Sequence, residues 1–392
     1  MATPTAKDGS AQLPPVTNIQ MVDLKAQYKA MQDEVDQAVL DVVRSGAFIN
    51  GPAVKQFQAG LEKFLGAEHV IPCGNGTDAL QIALMALGLE PGDEVIVPAF
   101  TYVASAEVIA LLRLTPVMVD VNPRTFNVRA EDIAAAITPK TKAIIPVHLF
   151  GQSCDMEPII ALANEHSLHI VEDNAQAIGA VYTFSDGRTA RTGTLGDIGC
   201  TSFYPSKNLG AYGDGGAINT DSPELAAEIR KVANHGQSRR YYHDVVGCNS
   251  RLDSVQAAVL NCKLPRLEGY CDRRRAAADY YDAHLQGIDG LLTPARQANS
   301  THVFHQYTLR VDGDRRDDLQ AHLKAAGVPS MIYYPVPLYA QEAFRGADAN
   351  GVDFLPVTDL LCKEVISLPM HSEFDEAALA YIVRSVRGFF NA

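Results

Sequence analysis

Lys207 lies in the stretch SFYPSKNLGAYGDGGAI, residues 202–218, directly after a strand-like CTSFY and just before a run of glycines. A lysine kept for solubility has no need of such a turn. A free lysine titrates at about 10.4, so at neutral pH it is charged and poorly nucleophilic unless its site desolvates it or it condenses with an aldehyde. Other stretches carry groups that suit such an amine. GNGTDAL supplies Gly74 and Gly76 for close backbone approach, then Thr77 and Asp78 at the start of a helix whose free N–H groups would hold a phosphate. Thr101-Tyr102 ends the apolar run DEVIVPAF with an aromatic side chain that could cover the face of a planar ring.

LHIVEDNAQAIGA puts Glu172 and Asp173 at the close of another apolar run. Successive strand side chains point to opposite faces, so only one of the two looks into a site. A buried carboxylate needs a cationic partner or takes up a proton. Asp173 beside a protonated pyridine nitrogen has that partner, and it strengthens the ring as an electron sink. A helix cap competes as the explanation of Asp173 taken alone, and a core or surface tyrosine as that of Tyr102. Ser202 offers a hydroxyl to a phosphate, and GDGGAI gives the freedom for a tight reversal beneath a cofactor. Phosphate-gripping turn, aromatic lid, carboxylate and amine, in that order, describe a pyridoxal 5′-phosphate pocket. A G-x-x-x-x-G-K-[ST] phosphate loop is absent, and G-x-G-x-x-G is missing after the first strands.

These groups need a frame that gathers them. Short β-rich runs, HVIPC, DEVIVPAF, TPVMVDV, KAIIPVHLFG, LHIVEDNA, IGCTSFY and GGAINT, alternate for the most part with helical stretches such as TDALQIALMALGL and MEPIIALANEHS. That rhythm predicts a mainly parallel sheet covered on both faces, in which ligands collect at the C-terminal strand ends. The spacing of Leu24, Tyr28, Met31, Val35, Val39 and Val42 predicts one helix before the sheet, and residues 1–18 read as a mobile tail. The alternation fades after a long helical segment interrupted by Pro265. A large α/β domain over 19–265 and a smaller C-terminal α+β domain over 266–392 follow.

Lys plus Arg number 33 against 46 Asp plus Glu, a net charge of −13, which repels a nucleic-acid backbone or an anionic membrane. No apolar run approaches a bilayer span and the N-terminal stretch lacks the core of a secretion signal, so a cytoplasmic protein is expected. The seven cysteines are scattered without a C-x-x-C pair and read as free thiols, with no metal site.

GNGTDAL, PAFTYVASA, VEDNAQAIGA, SFYPSKNLGAYGDGGAI and NSRLDSVQAAVL resemble the motifs of the DegT/StrS-type nucleotide-sugar aminotransferases, fold type I enzymes dependent on pyridoxal phosphate. The likeness runs from about residue 20 to the C-terminus. It implies that Lys207 binds the cofactor covalently and serves as general acid/base, while Asp173 pairs with the ring nitrogen. Gln176 would sit near the ring's 3′-oxygen, Tyr102 would stack on it, and Gly76, Thr77 and Ser202 would bind the phosphate. The family's sites lie at a homodimer interface, and CNSRLDS resembles the loop that enters the partner's pocket, with Asn249 reaching the phosphate and Arg251 the substrate. Tyr333 and Tyr334 in MIYYPVPLYAQEAF resemble the aromatic pair that meets the sugar, and the FINGP turn, Asn50 and Gly51, would border it. The resemblance implies amino transfer from L-glutamate, leaving 2-oxoglutarate, to a 3-keto sugar. A UDP-linked 2-acetamido-3-keto-hexuronic acid is the favoured substrate, with a dTDP-3-keto-6-deoxyhexose or an inositol-type acceptor as alternatives. Dehydratase relatives carry histidine where this chain has Lys207, and a regulator's DNA-binding helix pair is absent.

Overall fold

The computed structural model describes residues 18–346 and 351–391. Residues 1–17, all but the last of the expected tail, lie outside the described residues. The seven apolar runs become one sheet: β1 (His69–Cys73), β2 (Glu94–Pro98), β3 (Thr115–Val119), β4 (Thr141–Ile144), β5 (His169–Asp173), β6 (Ile198–Ser202) and β7 (Gly216–Thr220). Their spatial order is β1-β7-β6-β5-β4-β2-β3. Every neighbouring pair is parallel except those of β7, which runs antiparallel to both β1 and β6. Because two reversals cancel, β1 points the same way as β6, and the ends of β1, β2, β5 and β6 face one edge. β2, β6 and β7 are buried at every residue, as both-face coverage by helices requires.

The register decides which ends meet. Cys73 pairs with Gly216 on one side of β7 and Ser202 pairs with Gly216 on the other. Gly216 is the spacer between the ends of β1 and β6, and a Cβ there would strike the Asn75 carbonyl. A side chain at this position would push the β1 turn off Ser202.

The stripe from Leu24 to Val42 forms two helices, Leu24–Lys29 and Gln32–Ser45, rather than one. Met31, at φ −141°, breaks the helical run between them. Pro265 sits in a 3₁₀ turn, Leu264–Arg266, between the Ser254–Lys263 and Leu267–Leu285 helices. A second sheet, β8 (Leu291–Leu292), β9 (Tyr307–Val311) and β10 (Val365–Leu368), is antiparallel throughout. It builds its own core of Tyr281, Tyr307, Leu309, Leu323, Ile366 and Ile382. The segment before β10 behaves differently: Leu338, Tyr339, Phe344 and Leu361 pack with Leu80, Val97 and Phe100 on the large sheet. Asp120, just beyond β3, holds that segment by accepting from the Val357 and Thr358 N–H groups at 2.9 and 2.8 Å. This packing brings Tyr334 to the strand ends. Among the described residues no helix is long and apolar enough to cross a membrane.

Candidate active site

The β1 turn leads into the Gly76–Ala86 helix, where the Asn75 side chain caps the Asp78 N–H at 2.8 Å. That cap leaves the N–H groups of Gly76 and Thr77, two and one positions earlier, outside it. A Cβ on Gly76 would lie 2.6 Å from the Ser202 Cβ, so the helix start and the end of β6 touch. Thr77, Ser202 and the positive helix end form a cradle suited to a phosphate dianion. Below it, Ser250 Oγ accepts from the Gly74 N–H at 2.9 Å and donates to Asp78 at 2.6 Å. Gly76→Ala is expected to weaken pyridoxal phosphate binding by about 10- to 100-fold, through overpacking against Ser202, in an equilibrium titration of the apoenzyme.

At the end of β5 the two carboxylates part. Glu172 is fully buried and lies 2.7 Å from His148 Nε2, and it accepts from the N–H groups of Gly193, Leu195 and Gly196. Its acceptors are spent on structure. Asp173, on the other face, accepts from Ser105 Oγ at 2.8 Å and from the Ala175 N–H at 3.1 Å. No helix begins in the turn after Asp173, so the competing helix cap reduces to that single turn bond.

Lys207 follows β6 in a loop clamped from several sides. Its N–H donates to the Tyr204 carbonyl at 2.9 Å, Asn208 Nδ2 donates to the Val303 carbonyl at 3.0 Å, and Lys263 Nζ donates to the Gly210 carbonyl at 2.8 Å. Burial pulls the Lys207 ammonium down to about 8, against the opposing pull of the Asp173 charge. A base depressed in this way is free of its proton above that value. Capture of pyridoxal phosphate by the apoenzyme, followed as loss of free-aldehyde absorbance, is therefore expected to rise with pH and level off above about 8. An ordinary lysine would keep rising toward about 10.4.

Aromatic and amide groups close the space above. Gln176 accepts from the Phe150 N–H at 2.7 Å and donates to the Tyr334 hydroxyl at 3.2 Å. Burial raises the Tyr334 phenol, which keeps it a neutral donor. Its ring lies 6.3 Å from Tyr102 and 5.9 Å from Tyr333. Tyr102 is 56% exposed, at the mouth, where an incoming ring could be covered.

The remaining candidates make no hydrogen bond to these groups, although Ser250, between Asn249 and Arg251, lies below the cradle. Asn249 is exposed and forms a β-bridge with Asn234, and Arg251 has no ion pair among the described residues. Gly51 opens the Pro52–Leu65 helix and donates to Ser254 Oγ at 3.2 Å, and Asn50 takes φ +52°. Two roles at the site escaped the reading of the sequence, those of Ser105, buried against Asp173, and Thr101, buried against Ser105. Their only signal is position, one helical turn apart after a strand end.

The chain matches the DegT/DnrJ/EryC1/StrS aminotransferase family over residues 29–387. It is similar to a UDP-2-acetamido-2-deoxy-3-oxo-D-glucuronate aminotransferase of Pseudomonas aeruginosa, 48% identical over 364 residues that cover 93% of this chain and 98% of that protein. The crystal structure of DesV of S. venezuelae, in complex with a ketimine intermediate, aligns with a TM-score of 0.91 at 38% identity, covering 96% of this chain and 100% of that one. NtdA of Bacillus subtilis, with bound cofactor PMP, aligns with a TM-score of 0.88 at 30% identity, covering 96% of this chain and 86% of that one. Cradle, carboxylate and desolvated lysine at adjoining strand ends agree with that kinship, and the chain belongs to the DegT/DnrJ/EryC1/StrS family as a pyridoxal phosphate-dependent aminotransferase.

Proposed function

We propose that this enzyme moves the amino group of L-glutamate to C3 of a UDP-linked 2-acetamido-3-keto-hexuronic acid, releasing 2-oxoglutarate, in a route to an amino-sugar polysaccharide. The carrying observation is a buried Lys207 that feels the charge of Asp173 at the end of β5, with the Gly76–Ser202 cradle at strand ends on the same edge. Bound there, pyridoxal phosphate supplies an aldehyde for the amino group and a ring that takes up the electron pair freed when a C–H bond breaks. With the cofactor bound, Lys207 Nζ would take the proton from the glutamate Cα. In the second half of the cycle it returns a proton to sugar C3, so one amine serves both directions. Asp173 would pair with the ring nitrogen and hold its positive charge. Gly76, Thr77 and Ser202 would hold the phosphate, Gln176 would serve the 3′-oxygen, and Tyr102 would cover one ring face.

The 249–251 loop completes the partner's pocket in a homodimer. There Asn249 adds to the phosphate site, and Arg251, without an ion pair among the described residues, meets the sugar carboxylate by a charge-assisted bond. Tyr333 and Tyr334 contact the sugar, with Gly51 at its border. The hexuronic acid is supported by the likeness to the Pseudomonas aeruginosa enzyme, which acts on a 3-oxo-glucuronate. The test loads the enzyme with the amino group, presents nucleotide keto sugars one at a time, and follows return of the aldehyde absorbance. The UDP-linked hexuronate should react at least about 10-fold faster than its analogue lacking the carboxylate, the worth of one charge-assisted contact. Preference for a dTDP-3-keto-6-deoxyhexose or an inositol-type acceptor would overturn the assignment.

A further inference from the structure

We infer that Thr101 and Ser105 form a hydroxyl relay that aims the Asp173 carboxylate, making Ser105 a positioning residue for the cofactor ring. Ser105 is fully buried in the first turn of the Ala104–Leu111 helix, and its Oγ donates to Asp173 Oδ2 at 2.8 Å. An ionised carboxylate only accepts, so the single hydroxyl proton of Ser105 is committed to Asp173. Thr101 Oγ1 stands 3.2 Å from the same Oγ, and it must therefore donate to Ser105. The direction of both protons follows from one charge.

The other carboxylate oxygen accepts from the Ala175 N–H at 3.1 Å. The terminal torsion of aspartate is broad and roughly two-fold, so two donors from different elements are what fix its plane. Ala175 belongs to the turn after β5, whereas Ser105 comes from the helix after β2, and β4 separates these strands in the sheet. The Ser105 bond is thus a strut across the sheet edge. The same turn carries Tyr102, whose carbonyl accepts the Ser105 N–H at 3.3 Å. The tyrosine at the mouth and the hydroxyl that aims the carboxylate are held as one piece. Linked hydroxyls polarise one another, and Thr101 reaches Asp173 only through Ser105.

The inference rests on the reading that Asp173 faces the ring nitrogen. It is tested by titrating apoenzyme variants with ¹⁵N-labelled pyridoxal phosphate, recording the dissociation constant, the ring-nitrogen NMR signal and the apoenzyme melting temperature. Ser105→Ala should weaken cofactor binding by about 10-fold and move the ring-nitrogen signal toward the unprotonated position, while Ser105→Thr stays within about 2-fold of the parent. Thr101→Val, which keeps the shape, should give a smaller change in the same direction. The double variant should be no worse than Ser105→Ala alone, since a relay is not additive. Loss of melting temperature in Ser105→Ala with affinity and ring signal unmoved would reduce Ser105 to packing and overturn the inference. So would a Thr101→Val effect that adds in full to Ser105→Ala. Asp173→Asn separates the two layers. If it leaves the ring signal in place, the placement of Asp173 fails and the relay with it; if it moves the signal while Ser105→Ala does not, the relay alone fails.

Discussion

Replacing Lys207 with alanine is expected to lower amino transfer by at least about 10³-fold, the range lost when a positioned general acid/base is removed. The fold should survive, because the loop is held by other groups. The Ala211 N–H reaches the Phe203 carbonyl at 2.8 Å, and the bonds from Asn208 and Lys263 involve no Lys207 side-chain atom. Removing a desolvated amine also removes a cost of burial, so the melting temperature should hold or rise slightly. The measurement is glutamate-dependent turnover, beside the visible absorbance of the purified protein, which should lose the band of covalently held cofactor. Near-normal turnover in Lys207→Ala would end the assignment.

Asp173→Asn is the second large effect. The amide keeps an oxygen that can accept from Ala175 or Ser105, so the turn and the local packing should persist. What it loses is the negative charge. A neutral partner no longer stabilises a protonated ring nitrogen, and about 10²- to 10³-fold of rate should go, as when one preorganised electrostatic partner of a transition state is deleted. The half-reaction with glutamate, followed in a single turnover, reads this directly, and thermal unfolding provides the control. A loss of stability as large as the loss of rate would point to a turn-fixing carboxylate.

Much of the frame can be read along the chain. The seven apolar runs that become the sheet alternate with helical stretches because a parallel strand must return through a crossover, and both its faces must be covered. That pattern also explains why strand ends pointed to Lys207, Asp173, Tyr102 and the Gly76 turn. The reversed course of β7 was not visible, since GGAINT has the composition of any buried strand. Nor was the break at Met31, where the apolar stripe runs on although the backbone does not.

Type and order along the chain determined the chemistry on offer: an amine among small residues, a carboxylate closing an apolar strand, and a glycine turn opening a helix. Which of these touch was settled by pairing and packing between distant segments. Ser202 reaches Gly76 because Ser202 and Cys73 pair with Gly216 from opposite sides and the β1 turn then brings Gly76 against Ser202, and Ser105 reaches Asp173 because a helix after β2 leans across the sheet edge. Such meetings depend on strand order and on which surfaces can be buried together. Neither is written in any local stretch, because contacts of long sequence separation have no periodicity to betray them.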